Sequence, residues 1–358
     1  MQLAETEIVF VHKRASEWLL LLGGKNIDEG LSSIRDGTDA WIVSTYRILK
    51  EYGLNVSLID SFKKGCICIC HYDDLSSSKY PFESFVIVIR ADRSRSMLCD
   101  IEVVQSPAST DHKNSVYIPH WQQPGLIPRS GTRGNDVTTV GYFGLYRNLS
   151  AKYKTPQFTG FLKKLGVEFK VVDSHEQWSD YSQVDVVLAV RDGTPNFLAS
   201  KPATKLFNAW LAGCPVLVGE EPAIRHYQQS HLDFIRVRDV DETVEAVRLL
   251  KNNPRCFLRM VERGFQRSRE VDRSATALKW FAFFEDEVLF KYKAWEKRST
   301  THKRLHYELH RFIASIRNNM RGSLFVRGYD KHGIEIQPRK LRQVLQWLEK
   351  KIFIGFDK

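Results

Sequence analysis

No run of apolar residues in this 358-residue chain reaches the about 18–20 needed to span a bilayer. The longest candidate, Trp18–Leu22, stops at Gly23-Gly24. The N-terminal MQLAETEIVFVHKR has no basic stretch ahead of an apolar core, so it does not read as a secretory signal. A cytosolic protein is expected. The six cysteines contain no C-x₂₋₄-C pair matched by a second cluster. Cys66, Cys68 and Cys70 alternate in KGCICICHY, which puts them on one face of a strand as small apolar thiols. A G-x-G-x-x-G dinucleotide fingerprint is also absent, which argues against a dehydrogenase. Asp239-Val240-Asp241 has the form of a D-x-D metal motif, but it leads into the helical pattern ETVEAVRLL. Asp241 is therefore read as a helix cap, and no metal is expected.

Most of the chain lacks net charge as well. Of 53 Lys/Arg and 42 Asp/Glu, residues 291–358 hold 17 and 6, so the first 290 residues balance at 36 of each sign. A neutral body with a basic extension is a division of structure as well as of charge. The extension carries apolar residues at helical spacing: Leu305, Leu309, Phe312 and Ile316, then Leu341, Val344, Leu345, Leu348 and Ile352. A hydrophobic content of 43% is that of a packed protein, and the length suits two domains with an appendage.

The body alternates strand and helix. Strands are expected at 7–11, 55–59, 65–71, 85–89, 101–104 and 116–119, with a helix over 38–52 capped by Thr38 or Asp39. A long loop is expected between the first strand and that helix. Residues 119–136, rich in Pro and Gly, read as the interdomain linker. A second series follows, with strands at 138–144, 168–172, 184–190, 216–218 and 234–237. Its helices are expected over 152–165, 205–212 and 242–252, and a long aromatic helix over 274–293. This order predicts an α/β protein of two Rossmann-like, doubly wound domains, 1–125 and 137–272, followed by a basic helical C-terminal extension, 273–358.

The most informative segment is KPATKLFNAWLAGCPVL, residues 201–217. Pro202 and Thr204 suit a helix start, where a Thr hydroxyl caps free amides. Ala212-Gly213 ends the helix, and Pro215 leads into a buried parallel strand. Free amides at a helix start, with Lys201 and Lys205 beside them, suit a phosphate. In open parallel sheets ligands bind beyond the carboxyl ends of the strands. That rule adds Gly144, the Arg191-Asp192-Gly193 turn, and Glu220-Glu221.

From about Val137 to Val271 the sequence resembles the donor-binding half of GT-B glycosyltransferases of the family 1/4 type, many of which carry K-L-x-N/E-A-x-x-A-G-x-P-V here. The loop Gly219–Tyr227 extends the match. The resemblance implies a nucleotide-diphosphate sugar as co-substrate, no metal cofactor, and a glycan or lipid-linked acceptor. It implies donor contacts from Gly144, Arg191, Lys201, Thr204, Lys205, Asn208, Glu221 and Arg225, and a return of the 274–293 helix to the first domain. Asn208 and Ser200 stand where retaining relatives carry a Glu-x₇-Glu pair, so the stereochemistry stays open. The segment is also similar to the donor helix of inverting α-1,3-fucosyltransferases. An inverting transfer needs a base from the first domain. His12, Asp36, Asp39, Asp92 and His120 sit at strand ends or helix starts, with Asp36 the leading choice and Asp92 the next. A nucleotide-sugar epimerase of the same fold and a nucleic-acid-binding protein using the basic extension are the alternatives. The extension holds no recognisable nucleic-acid reader; its apolar stripes suit either docking on an anionic membrane or packing on the first domain with a solvated basic face.

Overall fold

The computed structural model describes residues 3–31, 33–34, 36–77, 82–111 and 113–326. The first domain runs β1 (Ile8–Val11), α1 (Ala15–Leu22), α2 (Ile27–Leu31), α3 (Gly37–Glu51), β2 (Val56–Ile59), β3 (Ile67–His71), α4 (Tyr72–Ser77), β4 (Phe85–Ala91), β5 (Ile101–Val104) and β6 (Ser115–Tyr117). The six strands are parallel in the order β2-β1-β3-β4-β5-β6. Buried parallel strands need apolar residues on both faces. Here Ile8, Phe10, Ile67, Ile69, Phe85 and Ile87 serve one face, and Val9, Val11, Cys68, Cys70, Val86 and Val88 the other. All six cysteines are free thiols, and burial pushes Cys68 up to about 11.

The second domain comprises β7 (Thr139–Phe143), α5 (Pro156–Lys164), β8 (Glu168–Val172), β9 (Val186–Ala189), α6 (Pro195–Ala199), α7 (Thr204–Ala212), β10 (Val216–Val218), α8 (Pro222–Arg225), β11 (Ile235–Arg236), α9 (Val240–Asn252) and α10 (Pro254–Ser268). Its strands are parallel in the order β11-β10-β9-β7-β8, with a core on each face. The chain continues through α11 (Arg273–Ala282), a π-helical stretch at Phe283–Val288, α12 (Leu289–Glu296) and α13 (Thr300–Val326). Trp280, Phe284, Val288, Tyr292 and Trp295 of this run are buried in the core of the first domain, so the helix does cross back to it.

Several local expectations are corrected. The loop after β1 contains two helices: α1 buries Trp18 and Leu22 one turn apart, and α2 buries Ile27 and Leu31. Helix α3 begins at Gly37, capped by Asp36, whose side chain accepts from Asp39 N, so neither Thr38 nor Asp39 is the cap. The helix expected over 152–165 starts only at Pro156, because proline cannot continue a helix through its ring. The cap of α9 is Asp239, accepting from Glu242 N at 2.8 Å, and Asp241 lies inside the first turn.

The carboxyl ends of the two sheets face each other. Gln105 Nε2 donates to Ser200 O at 3.0 Å, Ser109 Oγ to Ala199 O at 3.2 Å, and the Tyr117 and Tyr227 hydroxyls meet at 2.5 Å. The linker is fastened at its far end by Asp185, which is fully buried and accepts from Arg129 Nε at 2.9 Å and Arg133 Nε at 2.7 Å. The extension residues Leu341, Val344, Leu345, Trp347, Leu348, Ile352, Phe353 and Phe356 lie outside the described residues.

Candidate functional site

Three strands of the second sheet end side by side at β7, β9 and β10, and their following residues converge. Gly144 has φ +141°, and a Cβ there would stand 3.5 Å from both Lys205 Nζ and Tyr142 Oη. The Lys205 ammonium lies 3.8 Å from the centre of the Tyr142 ring. Arg191 Nε donates to Glu221 Oε1 at 2.8 Å. Glu221 is only 1% exposed, and its second oxygen, Oε2, finds no partner among the described residues. Burial and the neighbouring Arg191 hold the Lys205 ammonium well below the usual lysine range, with Glu221 opposing. The site is thus two cations and a carboxylate beside a ring, with one carboxylate oxygen left to accept a hydrogen bond.

Helix α7 forms as its sequence dictates at the C-terminal end, where Gly213 adopts φ +73° in the left-handed region. Its start differs from expectation. The cap is Ala203, with no side-chain hydrogen bond, and Thr204 is the first helical residue. The leading amides are therefore not covered by a Thr hydroxyl. Lys201 Nζ lies 2.6 Å from Asp92 Oδ2 of the first domain and 4.2 Å from the centre of the Phe197 ring.

The other sequence candidates are spread around this centre. Asn208 is buried, and its Oδ1 accepts from Gln123 N of the linker at 3.2 Å. Arg225 pairs with Glu220 at 2.8 Å and lines a groove of about 890 Å³ with Pro107, His226, His231 and Arg236.

In the first domain, Asp36 accepts from Asp39 N through one oxygen and stands 3.2 Å from Arg14 Nη2 through the other. Three residues on lies Asp39. It is fully buried, with His12 Nε2 at 3.1 Å, Arg14 Nη2 at 2.6 Å and Trp18 Nε1 at 2.9 Å. Those donors hold its carboxyl below the usual range against the opposing effect of burial. His120 faces Trp41 edge-on at 4.6 Å and meets Trp121 O at 2.9 Å. Tyr142, two residues before Gly144, is the ring on which Lys205 rests. No group of three His, Cys, Asp or Glu fit to hold a metal occurs among the described residues. No helix among them is long and apolar enough to cross a membrane.

Comparison with known proteins finds likeness in part of the sequence and in the fold. Residues 158–278, from α5 to α11, match the family model described as glycosyl transferase-like. Sucrose-phosphate synthase from Thermosynechococcus elongatus superposes with a TM-score of 0.52 at 12% identity, over 79% of this chain and 99% of that one. HepE of Anabaena, solved in complex with UDP and glucose, gives 0.47 at 10% identity over 79% and 100% of the two chains. No curated protein matches the sequence.

Proposed function

We propose that this chain, a glycosyltransferase of the GT-B fold, transfers a sugar from a nucleotide-diphosphate sugar held by its second domain to a hydroxyl of a glycan or lipid-linked acceptor held by its first. The observation that carries the donor site is the unpartnered Oε2 of Glu221, a carboxylate 1% exposed beside Arg191 and Lys205. A buried acceptor without a donor is costly, by about 1–3 kcal/mol, and a hydroxyl of ribose or hexose would satisfy it. Lys201, Lys205 and the open amides of α7 from Thr204 would take the diphosphate, as charge-assisted donors do. Gly144 lets the donor approach the backbone where a side chain would meet Lys205. Asn208 and Arg225 flank the site, one holding the linker and the other the groove. Of the two candidate bases, Asp92 faces the second domain, whereas Asp36 is committed to capping α3.

On α13, Leu305 and Phe312 are 62% and 65% exposed, each next to an arginine, Arg304 and Arg311. This face suits an anionic bilayer, where a lipid-linked acceptor would be found. The donor reading is tested by thermal shift against UDP, GDP, CMP and dTDP and their nucleosides. A ligand at 100 times its Kd stabilises by about 2.7 kcal/mol. A shift with one nucleoside diphosphate, and less with its nucleoside, is expected, and no shift with any of them would overturn the reading.

A further inference from the structure

We infer that Asp92 and Lys201 form a charge-exchange gate, in which Asp92 holds Lys201 until the donor diphosphate displaces it and frees Asp92 to accept the proton of the acceptor hydroxyl. The inference rests on the donor-site reading above and adds an order of events to it.

The backbone is bent to make this pair. Ala91 has φ +52°, the one non-glycine residue with a positive φ among the described residues. The register of β4 against β5 shifts between Ile89 and Ala91. A left-handed alanine costs roughly 1–2 kcal/mol, and irregularities at strand ends re-aim side chains. Here the bend directs Asp92 off the line of β4 and across the cleft, to 2.6 Å from Lys201 Nζ. The other Asp92 oxygen meets Arg93 Nη1 at 2.8 Å, but Arg93 is already engaged by both oxygens of Asp73, at 2.8 and 2.7 Å. Lys201 is therefore the cation across the cleft. The hydrogen bonds of Gln105 to Ser200 and Ser109 to Ala199 press this segment against the first domain.

Lys201 stands three residues ahead of Thr204, so it belongs both to this pair and to the predicted phosphate site. A diphosphate at α7 carries more charge than one carboxylate and competes for the same ammonium. Once Lys201 turns to the phosphates, Asp92 keeps only Arg93, which it shares with Asp73, and becomes a stronger base than before. In an inverting transfer, the acceptor O–H proton passes to the Asp92 carboxylate and the oxygen lone pair forms a bond to the anomeric carbon. The bond from that carbon to the diphosphate oxygen breaks, and its electron pair leaves on the nucleoside diphosphate.

The test is calorimetric titration of the full chain with the nucleoside diphosphate that stabilises it best. Asp92→Asn is expected to bind it about fivefold more tightly than wild type, the change equivalent to ~1 kcal/mol for a partly exposed ion pair, while losing transfer. Asp92→Ser should act in the same direction, which guards against a fold-specific effect of one variant. Lys201→Gln should weaken binding, and adding Asp92→Asn to it should then change nothing. If the Asp92 variants bind the diphosphate equally or more weakly, while Lys201→Gln still weakens it, the gate is wrong and the donor site stands. If wild type binds no nucleoside diphosphate, both fail.

Discussion

Arg191 Nε and Glu221 Oε1 lie 2.8 Å apart, and their bond ties the end of β9 to the end of β10 in the proposed donor site. The arginine is 14% exposed and the glutamate 1%. Glu221→Gln keeps an acceptor for Arg191 but removes the charge and turns the second oxygen, the one left for a donor hydroxyl, into an amide N–H donor. It should lower turnover by about 10–100-fold, the range for one hydrogen bond to a charged group, with the melting temperature within about 3 °C. Glu221→Ala instead strands a buried cation and should destabilise by roughly 3 kcal/mol or more. Calorimetry and a donor-hydrolysis assay check both, and unchanged turnover in Glu221→Gln would remove Glu221 from the site.

Lys205 gives a pH signature. Burial and Arg191 lower its ammonium from the ordinary 10.5. Diphosphate affinity should therefore fall as pH rises through the lowered value. Lys205→Met should flatten that profile and weaken diphosphates by about 10–100-fold, leaving nucleosides unaffected. The sign for stability is opposite. Between the lowered folded value and the unfolded one, the unfolded chain binds more protons, so stability from this residue rises with pH. The melting temperature of wild type relative to Lys205→Met should increase toward alkaline pH, and a constant difference would contradict the assignment.

What could be read from sequence was what local rules encode. Helix α7 announced its end through Gly213, and β1, β3 and β4 announced themselves as apolar runs. Helix α1 was hidden because leucines at 19–22 blur the helical period: Trp18 and Leu22 are buried, while Leu20 is 83% exposed. Helix α10 carries a start signal in its sequence, Asn253 as cap and Pro254 in the first turn. The candidate donor residues Gly144, Arg191 and Glu221 were legible as the residues that follow strand ends. The Asp39 cluster and the Asp92–Lys201 pair were not, because their members lie 21 to 109 residues apart and meet only through the fold.

Asp185 should be a stability residue rather than a donor contact. It accepts from Arg129, Arg133 and the amides of Thr138 and Thr139, and these partners hold its carboxyl below the usual range against the effect of burial. A lowered folded pKa means its contribution is present above the ordinary 3.8 and is lost as pH falls through the folded value. Asp185→Asn should cost roughly 3–5 kcal/mol at neutral pH by leaving two arginines short of charge. Denaturation at pH 7 and pH 3 should show the gap between wild type and variant closing in acid, and a gap that persists would place the stabilisation elsewhere.

The last prediction concerns α13. One side of this helix is held on the first domain: Ile313 is 4% exposed, His310 Nδ1 meets Met97 O at 2.7 Å, and the Tyr307 and Phe82 rings lie 6.4 Å apart. The other side presents Leu305 and Phe312, 62% and 65% exposed and two turns apart, with Arg304 and Arg311 beside them. Residues 291–358 bring 17 basic against 6 acidic side chains to this end of the chain. Each Lys or Arg near an anionic surface contributes about 1 kcal/mol, and the two large apolar side chains add contact with the interface. The full chain should co-sediment with vesicles containing an anionic lipid and not with neutral ones, and high salt should release it. Leu305→Glu with Phe312→Glu should weaken anionic-vesicle binding while leaving donor affinity intact, since neither residue is near α7 in the sequence or among its packing partners. Equal binding to neutral and anionic vesicles, or full binding by the double variant, would mean that α13 is only a solvated flank of the first domain.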